Sequence, residues 1–263
     1  MSGEDTSAED TSTSGAGASG RTSQSGPQAG RPRDAATLVI VDASGGEPRV
    51  LMGRRRATQV FMPNKIVFPG GRVDDADKIV PATDQLADIE TEKVLLEMRG
   101  RPSARRVRAL ALAAVRETFE ETGVIIGGAG NEATANAAVT DHATWLAFFA
   151  ENFTPALGGL SLFARAITPP GRPRRYDTRF FCVSAEKIAA EARAIDDELR
   201  DVSWHRLSET AGLDIAPITR VILEDLADRL RAAPLGPHVA SYPFYHHQRG
   251  TYRRDMLATQ VTL

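Results

Sequence analysis

Three carboxylates and a guanidinium crowd into the six residues Arg116-Glu117-Thr118-Phe119-Glu120-Glu121. On a helix, positions three and four apart share a face, so Glu117, Glu120 and Glu121 project to one side with Arg116 beside them. Clustered carboxylates repel one another unless a cation sits among them. A hard divalent ion that prefers oxygen ligands meets that need. The same letters also describe a solvated acidic helix face, the ordinary meaning of a charge run. Phe119, the apolar run 110–115 and the glycine at 123 instead suit a packed helix that stops at Gly123.

The elements that must position this face follow from pattern and punctuation. Residues 36–41 and 49–53 read as two strands around the turn signals Ser44-Gly45-Gly46, a hairpin. Arg54-Arg55-Arg56 follow, and Arg54 at a strand end could meet an anionic ligand. A short strand over 66–68 runs into Pro69-Gly70-Gly71, where the backbone needs unusual dihedrals or a close approach. Residues 84–99 suit a helix. Ser103 could cap the long helix that continues to Thr122. The alanine-rich 133–139 and then 141–152 read as helices, the latter with Trp145, Leu146, Phe148 and Phe149 in the core. Strands are expected over 160–167, 180–184 and 202–204, with a short helix over 184–194 between them. An amphipathic helix spans 216–232. Strands interspersed with helices indicate an α/β or α+β fold in a single domain, 35–263, behind a tail over 1–34 too poor in apolar residues to order itself. Beyond about 236 the chain is aromatic and polar, a C-terminal arm suited to docking a second subunit in a homodimer. His246 and His247 are adjacent and so face apart on regular structure, which argues against a metal there.

Composition excludes several classes. The net charge of −2 gives no basic face for nucleic acid. A lone cysteine, Cys182, rules out an internal disulfide and a cysteine-rich zinc site, and suits a reducing, cytoplasmic setting. No apolar run approaches the roughly 18 residues of a membrane span, and no signal-peptide pattern opens the chain.

With Gly71 in front of it, the segment from Arg116 to Val124 resembles the second half of the Nudix box, R-E-apolar-x-E-E-x-G-apolar, with threonine at 118 in place of the apolar residue. In the ordinary box the arginine lies 14 positions after the glycine. Here it lies 116 − 71 = 45 after it, so an insertion over about 72–103 is expected. Arg108 stands eight residues before Arg116, where the family has a glutamate. Phe61-Met62-Pro63-Asn64 and the stretch from Val67 to Asp77 resemble the coenzyme A diphosphatase-like branch, whose members also have an expanded box. Ile167-Thr168-Pro169 with the stretch from Arg175 to Phe181 resembles a second signature of that branch.

That resemblance implies a Nudix-type α/β/α sandwich with a mixed sheet and a Glu-rich catalytic helix. It implies hydrolysis of a diphosphate linkage in a nucleoside diphosphate derivative, with coenzyme A or an acyl-coenzyme A favoured. ADP-ribose and NADH are rivals, and a catalytically weak ligand-sensing module is a third reading. Glu117, Glu120 and Glu121, with the Gly71 carbonyl, would hold Mg²⁺ or Mn²⁺, and Arg116 would orient a glutamate. Glu117 and Glu198 compete for the role of general base. Arg54, Arg175, Tyr176, Asp177 and Arg179 are the expected substrate contacts.

Overall fold

The computed structural model describes residues 30–59, 62–130, 140–232 and 239–260. The chain opens with β1 (Arg33–Asp42), β2 (Arg49–Arg55), β3 (Ile66–Val67) and β4 (Gly70–Arg72), then a 3₁₀ turn at Ala76–Lys78. Next come α1 (Asp88–Leu95), α2 (Ala104–Thr122), β5 (Val124–Ala129), α3 (Ala143–Ala150) and β6 (Phe153–Pro155). The remainder is β7 (Ser161–Ile167), β8 (Tyr176–Ser184), β9 (Ile188–Glu191), β10 (Leu199–Arg206), α4 (Pro217–Ala232), β11 (Ser241–Gln248) and β12 (Thr251–Ala258).

One nine-stranded sheet runs β10-β2-β1-β8-β7-β11-β12, with β3 joined to β2 and β4 to β1. It is mixed: β1 runs parallel to β8 and β7 parallel to β11, while the other pairs are antiparallel. Strand alternation splits β1 between two cores. Ala36, Leu38 and Ile40 face α1, α2, α3 and the small sheet β6-β5-β9, whereas Val39 and Val41 face α4. Helices therefore cover both faces, the α/β/α arrangement expected for the fold.

Helix α2 is apolar on nearly every side between Val107 and Val115, as a helix sealed inside a core must be. Its alanines at 109, 111, 113 and 114 let the sheet below and β5 above approach closely. Each buried leucine in it contributes roughly 1.5–3 kcal/mol. The termini follow the sequence signals. Ser103 Oγ accepts the Arg106 amide at 3.2 Å, and Gly123 closes the helix at φ 75°. A side chain at Gly123 would collide with the Ala192 carbonyl.

Several expectations are corrected. Residues 188–191 form β9 rather than helix, because they complete the small sheet alongside β5. Leu146 is 49% exposed, on the side of α3 away from Trp145, Phe148 and Phe149. The C-terminal arm is two strands of the main sheet, turning through Arg249-Gly250, both at positive φ. Arg33 and Asp34, assigned to the tail by composition, already belong to β1. The alanine-rich 133–139 and residues 1–29 lie outside the described residues.

Charge is buried inside this fold away from the Glu-rich face. The fully buried Glu90 of α1 receives Lys93 Nζ at 2.8 and 3.0 Å, and the Leu162 amide of β7 at 2.5 Å. Helix α1 thus satisfies a strand donor that lacks a neighbouring strand. Nearby, Asp177 takes a bidentate grip from Arg165 at 2.7 and 2.8 Å, and Arg179 lies 2.8 Å away. Burial alone pushes the Asp177 carboxyl upward, but the Arg165 hydrogen bonds and both guanidinium charges outweigh it and hold it below its usual value.

A carboxyl held low in the folded state contributes stability that is complete above its unfolded pKa of about 4 and is lost as acid protonates it. In urea titrations, the unfolding free energy should therefore fall as pH drops below about 4. Asp177→Asn should already be destabilised by about 3–5 kcal/mol, since it strands buried arginines, and should show a flatter acid limb. An acid limb as steep as that of the unaltered chain would show that Asp177 carries none of the effect.

Candidate active site

The glutamates of α2 meet β4 at its two glycines. Gly70 donates its amide to Glu121 Oε2 at 2.9 Å, and any Cβ at Gly71 would occupy the volume of the Glu117 carboxylate. Gly70 itself has φ 157°, and a Cβ there would lie 2.6 Å from the Ala36 carbonyl oxygen. Both glycines are required by close approach, one to a carboxylate and one to the neighbouring strand.

Arg116 is 4% exposed and uses the whole of its guanidinium. Nη1 contacts Glu117 Oε1 at 3.0 Å and Glu120 Oε2 at 3.2 Å, and Nη2 donates to the Arg72 carbonyl at 2.8 Å. Its bidentate partner is Asp77, reached by Nε at 2.9 Å and by Nη2 at 3.1 Å. Asp77, fully buried, also accepts from Trp145 Nε1 at 2.9 Å and from the Asp74 amide at 2.8 Å. Arg108 takes no part and bonds Gln85 instead.

Asp77 resolves the missing glutamate. The ordinary box places that glutamate eight residues before the arginine and hence 14 − 8 = 6 after the glycine. In this chain 71 + 6 = 77. The acid keeps its distance from Gly71, and the extra residues fall between Asp77 and Arg116 rather than directly after Gly71. Counting back from Arg116 stops short of the insertion, at Arg108 within α2, whereas counting forward from Gly71 finds the acid.

The remaining carboxylate is Glu198, just ahead of β10, whose side chain is 31% exposed and 2.5 Å from Arg55 Nη2. Its charge and that of Glu117 both act on Glu121, whose carboxyl burial pushes well above the usual range; the Gly70 amide and Arg55 oppose them. Burial likewise raises Glu117 to about 7, with Glu120 adding to the shift and Arg116 opposing it. Thr144 donates to Glu120 at 2.9 Å. Thr118, the departure from the apolar pattern, is buried and satisfies its hydroxyl on the Ala114 carbonyl at 2.8 Å.

The expected substrate contacts fare unevenly. Asp177 and Arg179 are 3% and 0% exposed and belong to the ion network beneath α1, so burial removes them from any ligand arriving through solvent. Arg175 and Tyr176 are half-buried at the base of the β7–β8 hairpin, where Arg175 donates to the Thr168 and Gly30 carbonyls. Arg54 is exposed and holds the Asn64 carbonyl at 3.1 Å. Arg55, its neighbour on the opposite face of β2, is the arginine that meets Glu198. A shift of one residue along a strand exchanges faces, and alternation alone does not say which arginine points inward. Thr144 and Trp145 had no local signal.

A divalent cation suits this donor set. The carboxylates are hard oxygen donors, the buried Glu121 and the half-buried Glu117 both have raised pKa values, and the Gly71 cradle leaves Glu117 room that any side chain would fill. Among the described residues, no three His, Cys, Asp or Glu side chains already enclose an ion-sized space.

No protein-family model matches the chain. A solved NUDIX hydrolase from Alicyclobacillus acidocaldarius aligns with a TM-score of 0.55 and 26% identity, over 78% of this chain and 97% of that one. The fold is that of the Nudix hydrolases. The Caenorhabditis elegans protein named nudix hydrolase 7 is 32% identical over 184 residues, covering 65% of this chain and 50% of the relative. The chain thus spans about half the length of that curated relative. Both likenesses support the Nudix hydrolase superfamily. Among the described residues no helix is long and apolar enough to cross a membrane.

The Asp77–Arg116 pair has a measurable consequence independent of turnover. Asp77→Asn should cost about 3–5 kcal/mol in urea unfolding, because it leaves a buried guanidinium short of its main counter-charge. It should also shift the Trp145 emission, since the indole N–H loses a charged acceptor. Unchanged stability and emission would mean that Arg116 is held by the glutamates alone.

Proposed function

We propose that the chain is a metal-dependent Nudix pyrophosphohydrolase acting on a nucleoside diphosphate derivative, with coenzyme A or an acyl-coenzyme A as the favoured substrate. The observation that carries the reading is the seating of Glu117 and Glu121 on Gly70 and Gly71 of β4, with Arg116 locked by Asp77. That support also weighs against a purely ligand-sensing module, because the expected partner of the arginine is present rather than lost.

Glu117, Glu120 and Glu121, with the Gly71 carbonyl, would hold one or more Mg²⁺ or Mn²⁺ ions. Once bound, such ions neutralise phosphate oxygens and lower the pKa of an attacking water. The chain's own residues do the positioning, which is most of what phosphoryl chemistry demands. Arg116 fixes the rotamers of Glu117 and Glu120. Glu198 is the better candidate for general base: it stands at the open rim, while Glu117 is wedged between Gly71 and Arg116. It would take a proton from water as the new P–O bond forms and the bridging P–O bond breaks. Arg55 would orient that carboxylate and then favour its recharging.

Support for coenzyme A over ADP-ribose comes from positive charge beside the site. Arg72 directly follows Gly71 and is exposed, as are Arg33, two residues back along the paired strand β1, and Arg174. The Arg33 amide bonds the Arg175 carbonyl, so all three gather at one end of the sheet. A substrate with a phosphate beyond the diphosphate would use them, whereas ADP-ribose and NADH carry none.

Turnover of free coenzyme A, ADP-ribose and NADH with Mg²⁺ and Mn²⁺ decides among these substrates. Release of 4′-phosphopantetheine, with coenzyme A preferred at least about tenfold in kcat/KM, is expected; preference for ADP-ribose or NADH would reassign the substrate. Glu198→Gln should lower kcat by about 10²–10⁴, the usual range for acid–base catalysis, and a loss under about tenfold would remove Glu198 from that role. If the unaltered chain and Glu120→Gln are equally inert on all three while a nucleotide still binds, the sensing module is correct.

A further inference from the structure

We propose that β12 is the dimer interface, pairing antiparallel with β12 of a second copy about a two-fold axis through Arg254. The surface is independent of the proposed chemistry.

β12 is the outermost strand of the main sheet, and among the described residues nothing pairs with its outer edge. Residues 251–256 are all exposed, including Tyr252 at 48% and Met256 at 52%. The hairpin also overhangs the sheet. β11 meets β7 at Phe244 and Tyr245, and β7 ends at Ile167, so residues 247–252 project past it as two strands alone. Such a ribbon is marginal without a further partner.

Which backbone groups point outward follows from the register. The two-residue turn makes Gln248 and Thr251 a hydrogen-bonded pair, and bonding then alternates along the ladder. Pro243, which has no N–H, stands opposite Met256 and marks that pair as non-bonded, in agreement. Tyr252, Arg254 and Met256 therefore turn their N–H and C=O groups away from β11. An axis through Arg254 sets Arg254 against its own copy and Tyr252 against Met256, giving about six backbone hydrogen bonds with none of these groups left over.

The side chains suit the same axis. It brings the two exposed apolar residues, Tyr252 and Met256, together on one face. On the other it sets Arg253 opposite Asp255, opposite charges in both halves of an isologous contact. The one like-charged pair, Arg254 with its copy, is relieved because each Arg254 is held by Asp225 at 2.9 Å and by the Tyr245 hydroxyl at 3.2 Å. Charges on an edge strand ordinarily block pairing. Here they are placed to select one register.

Sedimentation equilibrium of the full chain should show a species of twice the 28.3 kDa chain mass at micromolar concentration. Arg253→Asp should raise the dissociation constant at least about tenfold, by facing Asp255 with a like charge. Adding Asp255→Arg should recover at least about half of that loss, since it reverses the pair while giving up the contact of Asp255 with His246 Nε2 at 2.6 Å. Amide exchange supplies a second readout that needs no substitution. Tyr252, Arg254 and Met256 should be protected in a concentration-dependent manner, while Arg253 and Asp255, bonded to β11, should be protected throughout. A monomer up to about 100 μM overturns the proposal. So does a dimer in which the amides of 252, 254 and 256 exchange freely, which would place the contact on another face.

Discussion

A guanidinium removed from water costs several kcal/mol unless opposite charge and hydrogen-bond acceptors surround it. Arg116 imposes that requirement at the centre of this molecule. Its acceptors come from the end of β4, from the 3₁₀ turn that carries Asp77, and from the last two turns of α2 itself. Asp77 in turn takes the Trp145 indole, which ties α3 into the same knot. No one of these elements can move without leaving a buried charge exposed to an apolar surrounding. The glutamates are held still because the arginine must be satisfied.

Much of the remaining buried charge follows the same logic for another purpose. Arg165, Asp177 and Arg179 interlock between β7 and β8, and Arg106 of α2 grips Asp34 of β1 at 2.5 and 2.7 Å. Arg165 reaches further, to the carbonyls of Leu96 and Glu97 at 3.1 and 3.0 Å, and so binds the end of α1. These residues look like anion contacts when their types alone are considered. Their burial makes them the internal clamp that holds the inserted segment against the sheet.

The parts of the molecule legible in the sequence are those with local causes. The limits of α2 follow from a serine that caps and a glycine that closes, and the union of Gly71 with the glutamates follows from a motif that needs backbone without a side chain. The strands β1, β2 and β7 show as apolar runs. What escaped reading is set by distant partners. β9 is Ile-Ala-Ala-Glu, mostly strong helix formers, and only the free edge of β5 makes them a strand. Leu146 looks like core beside Trp145 and Phe148 until the helix is given a side to face. Arg55 and Arg54 are adjacent letters on opposite faces. Asp77 lay within reach of counting, but the count had to start from the glycine and not from the arginine.

The separation of 39 positions from Asp77 to Arg116 also bears on how the molecule assembles. Both halves of the site are short and local, yet neither holds a complete constellation. The segment between them carries α1, seats Glu90 on β7 and turns at Gly100 on its way to the α2 arginine. Closing a contact so distant in sequence carries an entropic cost that rises slowly, with the logarithm of the separation. A partly folded chain would have its strands and much of its core without a working constellation. Each half of the site is therefore hostage to the other: a chain that has not closed this contact holds the arginine without its acid and the acid without its arginine.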